Sequence, residues 1–135
     1  MPTPLLAAAT TSRIINAFYR VYDELGYGFL ESVYSGAFEI ELKRHELIFV
    51  REAPIDVVYH GQRIGHYRAD FLANEEVVVE TKAGRALNDA DSRQLLNMLR
   101  ATRIEVGMLL HFGPKATFKR MIFENGRKQV LEEVH

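Results

Sequence analysis

Three consecutive valines, Val77-Val78-Val79, followed at once by Glu80-Thr81-Lys82, constrain this chain more than any other stretch. A β-branched run of this kind predicts a central strand covered on both faces, because a strand with one wet face would alternate apolar and polar residues. Side chains alternate across a strand, so Glu80 and Lys82 project from one face and Thr81 from the other. The segment before it, Tyr67-Arg68-Ala69-Asp70-Phe71-Leu72, reads as another strand, with a polar break at Asn74-Glu75-Glu76. If the two strands pair through that break, Asp70 arrives beside Glu80 and Lys82.

Two carboxylates and a lysine at one end of a sheet suit a hard divalent cation, usually magnesium, which keeps several waters and takes phosphate oxygens. Such an ion activates water, and a neighbouring lysine orients that water or offsets phosphate charge, which is the chemistry of phosphodiester cleavage. On spacing alone the trio reads as well as a salt-bridged patch at a strand end, and for an isolated pattern that reading takes precedence.

The flanking segments predict one α/β domain spanning residues 1–135, with a core from about residue 11 to 123. Ile14, Ile15, Phe18, Val21, Tyr22 and Leu25 form one stripe on a first helix, which Gly26 ends. A second helix from about residue 30 to 46 is expected to turn Val33, Tyr34, Ala37, Phe38 and Leu42 inward. Short extended segments follow at 49–50 and 55–59, with Pro54 at a strand start or edge. His60-Gly61 suits a two-residue hairpin turn. Alternation on the return strand puts His66, Arg68 and Asp70 on one face and Tyr67, Ala69 and Phe71 on the other. Asn88 is the expected N-cap of a helix running to about residue 101, with Leu95, Leu96 and Leu99 buried. The apolar strand at 105–112 should then lie parallel to the valine strand, through a right-handed helical crossover. A last strand is expected at 117–123, and the polar tail from Glu124 is expected to fray.

Several of these segments, taken in order, resemble the PD-(D/E)XK nuclease superfamily, and within it the small bacterial GxxExxY family. The name-giving motif reads Gly28-Phe29-Leu30-Glu31-Ser32-Val33-Tyr34; Tyr67-Arg68-Ala69-Asp70-Phe71, Glu80-Thr81-Lys82, Gln94-Leu95-Leu96-Asn97 and the run from Gly107 to Gly113 follow. The resemblance implies a restriction-endonuclease-like core, a mixed, mainly antiparallel sheet flanked by helices. It also implies a magnesium- or manganese-dependent nuclease acting on nucleic acid, DNA before RNA. Asp70 and Glu80 would hold the metal with the main-chain carbonyl of Thr81, Lys82 would position water, and Glu31 and Gln94 would complete the site. Tyr34 would face substrate or the acids, a buried core tyrosine being an equal reading of the same position. Related sequences often carry an aromatic residue where this chain has Met98. Without the resemblance, Glu31 reads as a first-turn acid favoured by the helix dipole.

Charge is unevenly divided. Residues 1–81 carry 7 basic and 12 acidic side chains, and residues 82–135 carry 10 and 6. The net charge of −1 argues against a broad DNA-coating surface. Lys115, Lys119 and Arg120 are candidate phosphate contacts; Arg68 is another and His66 a candidate peripheral base, although for these two an ordinary surface charge or salt bridge is the stronger reading. The chain has no cysteine, which excludes disulfides and thiolate metal sites. No apolar run approaches the roughly 20 residues that span a bilayer, and no secretion leader is expected, so a cytoplasmic protein without membrane contact is the expectation. Five scattered histidines form no metal box, and phosphate-loop, zinc-protease and serine-hydrolase motifs are missing. The rival to a nuclease is a nuclease-like module that binds nucleic acid or protein without cutting. Oligomeric state is left open.

Overall fold

The computed structural model describes residues 6–128. Among them, helices α1 (Ala8–Leu25) and α2 (Glu31–Arg44) precede strands β1 (Phe49–Tyr59), β2 (Gln62–Ala73) and β3 (Val77–Ala83). Helix α3 (Asp89–Arg100) then leads to β4 (Val106–Phe112) and β5 (Ala116–Ile122). The described strands form one sheet in chain order, β1-β2-β3-β4-β5. The β3–β4 pair is parallel and the others are antiparallel. Parallel neighbours need a crossover, and α3 supplies it. This is a mixed α/β architecture with a mostly antiparallel sheet between helices, consistent with a restriction-endonuclease-like fold.

Both faces of β3 are covered. Val77 and Val79 pack with Phe18 and Phe38 of α1 and α2, and Val78 packs with Leu95, Met98 and Leu99 of α3. That double burial is why the strand has no alternating pattern. β4 is likewise buried along its whole length.

The alternation expected for β2 fails at Asp70. Phe49, Phe71 and Ala73 pack toward α1 and α2, whereas Ala53, Ile55 and Ala69 pack toward α3, although all six are odd-numbered. Both strands therefore change face between residues 51–53 and 69–71. Glu52 has a left-handed φ of 53°, and pairing steps from Arg51–Phe71 to Ala53–Ala69 across it. A residue in that conformation interrupts the pleat, so the side chains beyond it are turned over. Ala69 and Phe71 consequently occupy different clusters, and Asp70 lies at the switch.

Other boundaries shift for local reasons. β1 is one strand of 11 residues rather than two short segments, its edge position tolerating Pro54. His60 and Gly61 have φ of 47° and 78°, the positive values a primed hairpin turn needs. Val33, expected inside, is 40% exposed, because Tyr34, Phe38 and Leu42 form the buried stripe of α2 and Val33 lies beside it. The tail does not fray at Glu124. A 3-10 turn covers Asn125–Arg127, and the buried Lys128 donates through Nζ to the carbonyls of Thr102 and Ile104 at 2.9 and 2.7 Å. Residues 129–135, where the rest of that expectation falls, lie outside the described residues. No helix among the described residues is long and apolar enough to cross a membrane.

Candidate active site

The β2–β3 ladder stops where the acids begin. Its pairs run from Ala73–Val77 to Phe71–Val79, and the next two residues, Asp70 and Glu80, replace main-chain bonding with side chains. The Asp70 N–H donates to Glu80 Oε2 at 2.6 Å, and the Thr81 N–H and Oγ1 donate to Asp70 Oδ2 at 2.8 and 3.0 Å. Each acid thus satisfies a peptide group on the opposite strand that an ended ladder would leave without a partner. Among the described residues, Asp70 Oδ1 and Glu80 Oε1 have no hydrogen-bond donor.

Glu80 is only 4% exposed. Burial and then the Asp70 charge push its pKa up to about 7, with Glu31 adding to the rise; the Asp70 N–H and the Lys82 ammonium oppose it. Thr81 faces the other side of the sheet and meets Ser35 of α2, Oγ to Oγ1, at 2.8 Å. Lys82 shares the α3 face with Glu80, and its Nζ lies 3.8 Å from Asp91 Oδ1 at the start of α3. Asp91 also closes a capping box with Asn88: Asp91 N–H donates to Asn88 Oδ1, and Asn88 N–H to Asp91 Oδ2, both at 3.1 Å. One carboxylate therefore fixes both the helix start and the lysine.

Asp70 opens on a pocket of about 210 Å³ lined by Glu31, Ser32, Ser35, Arg51, Glu52 and Phe71. Glu31, exposed in the first turn of α2, belongs to this pocket as expected of a group near the acids. Among the described residues no three His, Cys, Asp or Glu side chains are arranged to hold a metal, so Glu31 does not complete a three-acid cluster. What the geometry offers a hard cation is two carboxyl oxygens without donors, one of them on the buried Glu80, whose ionisation burial and the Asp70 charge oppose. An all-oxygen donor set of that kind fits magnesium or manganese, whose remaining positions water fills.

The remaining candidates divide. Tyr34 is fully buried, its ring stacked on Phe112 at 4.4 Å and its hydroxyl donating to the Gly26 carbonyl at 2.5 Å. A side chain with no exposed surface cannot touch substrate, and Tyr34 is a core residue that shapes the α1–α2 loop. Arg120 is half-buried, and its guanidinium bonds the Leu6 carbonyl at the start of α1. Gln94 is exposed on α3, one turn after Asp91, and makes no hydrogen bond among the described residues. Arg68 is exposed on β2 opposite Pro54, and Lys119 is exposed on β5 with Nζ 3.4 Å from Ser92 Oγ. Met98 is fully buried against the sheet, so no stacking surface exists at that position.

Ser35, Asp91 and His111 belong to this constellation without having been singled out in the sequence. His111 is 6% exposed, lies beside Lys82 in the β3–β4 register, and its Nε2 bonds the Gly84 carbonyl at 2.8 Å, pinning the loop that follows Lys82. Asn88-x-x-Asp91 has capping-box spacing, and a lone histidine in the otherwise apolar β4 is anomalous; those were the available signals.

A family model described as the PD-(D/E)XK nuclease superfamily covers residues 8–121. No curated protein and no solved structure matches the chain.

Proposed function

Because the chain belongs to the PD-(D/E)XK nuclease superfamily, its family model covering residues 8–121, we propose that it is a divalent-metal-dependent nuclease hydrolysing phosphodiester bonds, with DNA preferred over RNA. The observation that carries this reading is the reciprocal locking of Asp70 and Glu80. Two acids are held together across the strands, Glu80 by the Asp70 N–H and Asp70 by the Thr81 N–H, with Glu80 buried, at a cost the folded protein would shed if either were neutral. In this reading Asp70 Oδ1, Glu80 Oε1 and the Thr81 carbonyl hold magnesium or manganese. When bound, the ion would stabilise charge on the phosphate and acidify a bound water. Lys82 would orient that water through its ammonium, which Asp91 approaches to 3.8 Å and would hold in place. Glu31 and Gln94 act at the rim, and Arg68 and Lys119 meet backbone phosphate. Membership of the GxxExxY family is part of the same reading and rests on Gly28, Glu31 and Tyr34 at the motif spacing. So is a cytoplasmic setting, on the absence of cysteine.

Cleavage of single- and double-stranded DNA and RNA with magnesium or manganese tests the proposal. Turnover should need the metal and be lost in Asp70→Ala and Lys82→Ala; metal-dependent turnover surviving both substitutions rules out these roles. One observation favours the second reading, a module that binds without cutting: among the described residues no third metal-ligating side chain joins the two acids. Retained nucleic-acid binding with no heat of metal binding would establish it.

A further inference from the structure

The loop joining α1 to α2 holds an apolar surface that the chemistry above leaves unused. Tyr27, Phe29 and Leu30 are 48%, 47% and 74% exposed, and Val33, one turn into α2, is 40% exposed. Leu30 immediately precedes Glu31, which lines the pocket at Asp70, so the chain leads from this loop directly into the wall of the candidate active site.

The loop is held in shape from beneath. Gly26 and Gly28 take φ of 68° and 116°, which only glycine adopts freely. The buried Tyr34 hydroxyl donates to the Gly26 carbonyl and accepts the Phe29 N–H at 3.3 Å, and the Phe29 ring stands edge-on to Tyr34 at 6.1 Å. Phe29 is therefore presented on a fixed support, with little conformational freedom left to lose on binding.

The surroundings decide what such a surface can receive. Glu31, Glu52 and Asp70 line the adjoining pocket, and its one basic lining residue, Arg51, is 2.9 Å from Glu39. Away from the proposed metal these residues offer phosphate no free cation, so the part of a nucleic acid lying on the loop must be gripped through its bases. Aromatic side chains accept any base by stacking, provided that the base is not already stacked and paired within a duplex. From this we infer that Tyr27, Phe29 and Leu30 form a stacking platform for an unpaired nucleobase beside the scissile phosphate, and that the substrate is single-stranded or locally opened nucleic acid. The inference rests on the nuclease reading for the identity of its ligand.

The full chain is titrated against fluorescein-labelled 20-nucleotide DNA and RNA single strands of mixed sequence and against the DNA duplex, in EDTA and in calcium, over a range of salt. The single strands should bind more tightly than the duplex. The Tyr27→Ala/Phe29→Ala protein, with its fold checked by thermal melting, should bind single strands about tenfold more weakly with an unchanged salt slope, because stacking releases no counterions. Leu30→Ser, which leaves both rings in place, should produce a smaller loss in the same direction. The DNA and RNA arms decide which strand chemistry is taken. Single-strand affinity kept within twofold in the double variant, or equal affinity of the wild type for duplex, overturns the inference. Conversion of a wild-type dimer to a monomer by Leu30→Ser, with nucleic-acid affinity unchanged, assigns the surface to a second copy and overturns it too. Stacking-dependent binding without cleavage in magnesium or manganese would remove the nuclease reading and leave the platform; cleavage indifferent to the double variant would do the reverse.

Discussion

Asp70 donates its main-chain N–H to the carboxylate of Glu80 at 2.6 Å, so a buried acid is held by the peptide of the very residue whose charge raises its pKa. The usual carboxyl value of 4.5 applies in the unfolded chain, and about 7 in the folded one. The folded state thus binds this proton more tightly. The associated stabilisation is fully present below pH 4.5 and is lost as pH rises through 7. Glu80→Gln should therefore raise stability at pH 8 in metal-free buffer by roughly 2–3 kcal/mol, and should have little effect at pH 4. Urea unfolding at the two pH values checks this, and a loss of equal size at both would contradict it.

In the proposed function the same proton would compete with a cation. Titration calorimetry with manganese should show apparent affinity falling about tenfold for each pH unit below 7 and levelling off above it. Asp70→Ala should remove most of the binding at every pH. An affinity flat between pH 6 and 8 would take Glu80 out of the coordination sphere.

Asp91 has two duties that substitutions can separate. Asp91→Asn keeps an oxygen to accept the Asn88 N–H, so stability should stay within about 0.5 kcal/mol, whereas Asp91→Ala should cost about 1 kcal/mol. Both remove the charge 3.8 Å from Lys82 Nζ, so both should slow cleavage by about tenfold. Cleavage by the asparagine protein at the wild-type rate would show that Lys82 needs no carboxylate behind it.

Gly107 on β4 is a close-approach position. A Cβ there would lie 2.9 Å from Leu95 Cδ1 of α3 and 3.1 Å from its Cγ, and Leu95 is fully buried. Gly107→Ala should destabilise the protein by about 1–3 kcal/mol through lifting α3 from the sheet. Thermal melting measures the loss, and an unchanged midpoint would mean that Leu95 repacks freely.

The elements that were legible in the sequence are those with strong local signals. Val77–Val79, the His60-Gly61 turn and the Asn88 cap each follow from residue chemistry within a few positions, and the parallel β3–β4 pair follows from the length of the α3 connection. The face switch at Glu52 and Asp70 was not legible. A glutamate in left-handed conformation leaves no compositional mark, and alternation extrapolated through it put Ala69 and Phe71 on one face. Tyr34 was ambiguous for a related reason: a tyrosine beside a motif glutamate reads as a surface group until packing on Phe112 is seen. Ser35, Asp91 and His111 act through partners 46, 9 and 27 residues away, separations that single-sequence patterns do not reach.

Strand order that copies chain order has a kinetic corollary. Most adjacent pairs can anneal across a turn of a few residues, whereas joining β4 to β3 must first close the span occupied by α3. Loop-closure entropy makes that the late event in folding, and it is the event that roofs over Glu80. In pulse-labelling hydrogen exchange, the amides of the β1–β2 hairpin should gain protection before those of β4. A newly made chain would then enclose its candidate site late, after the β1–β2 hairpin has set.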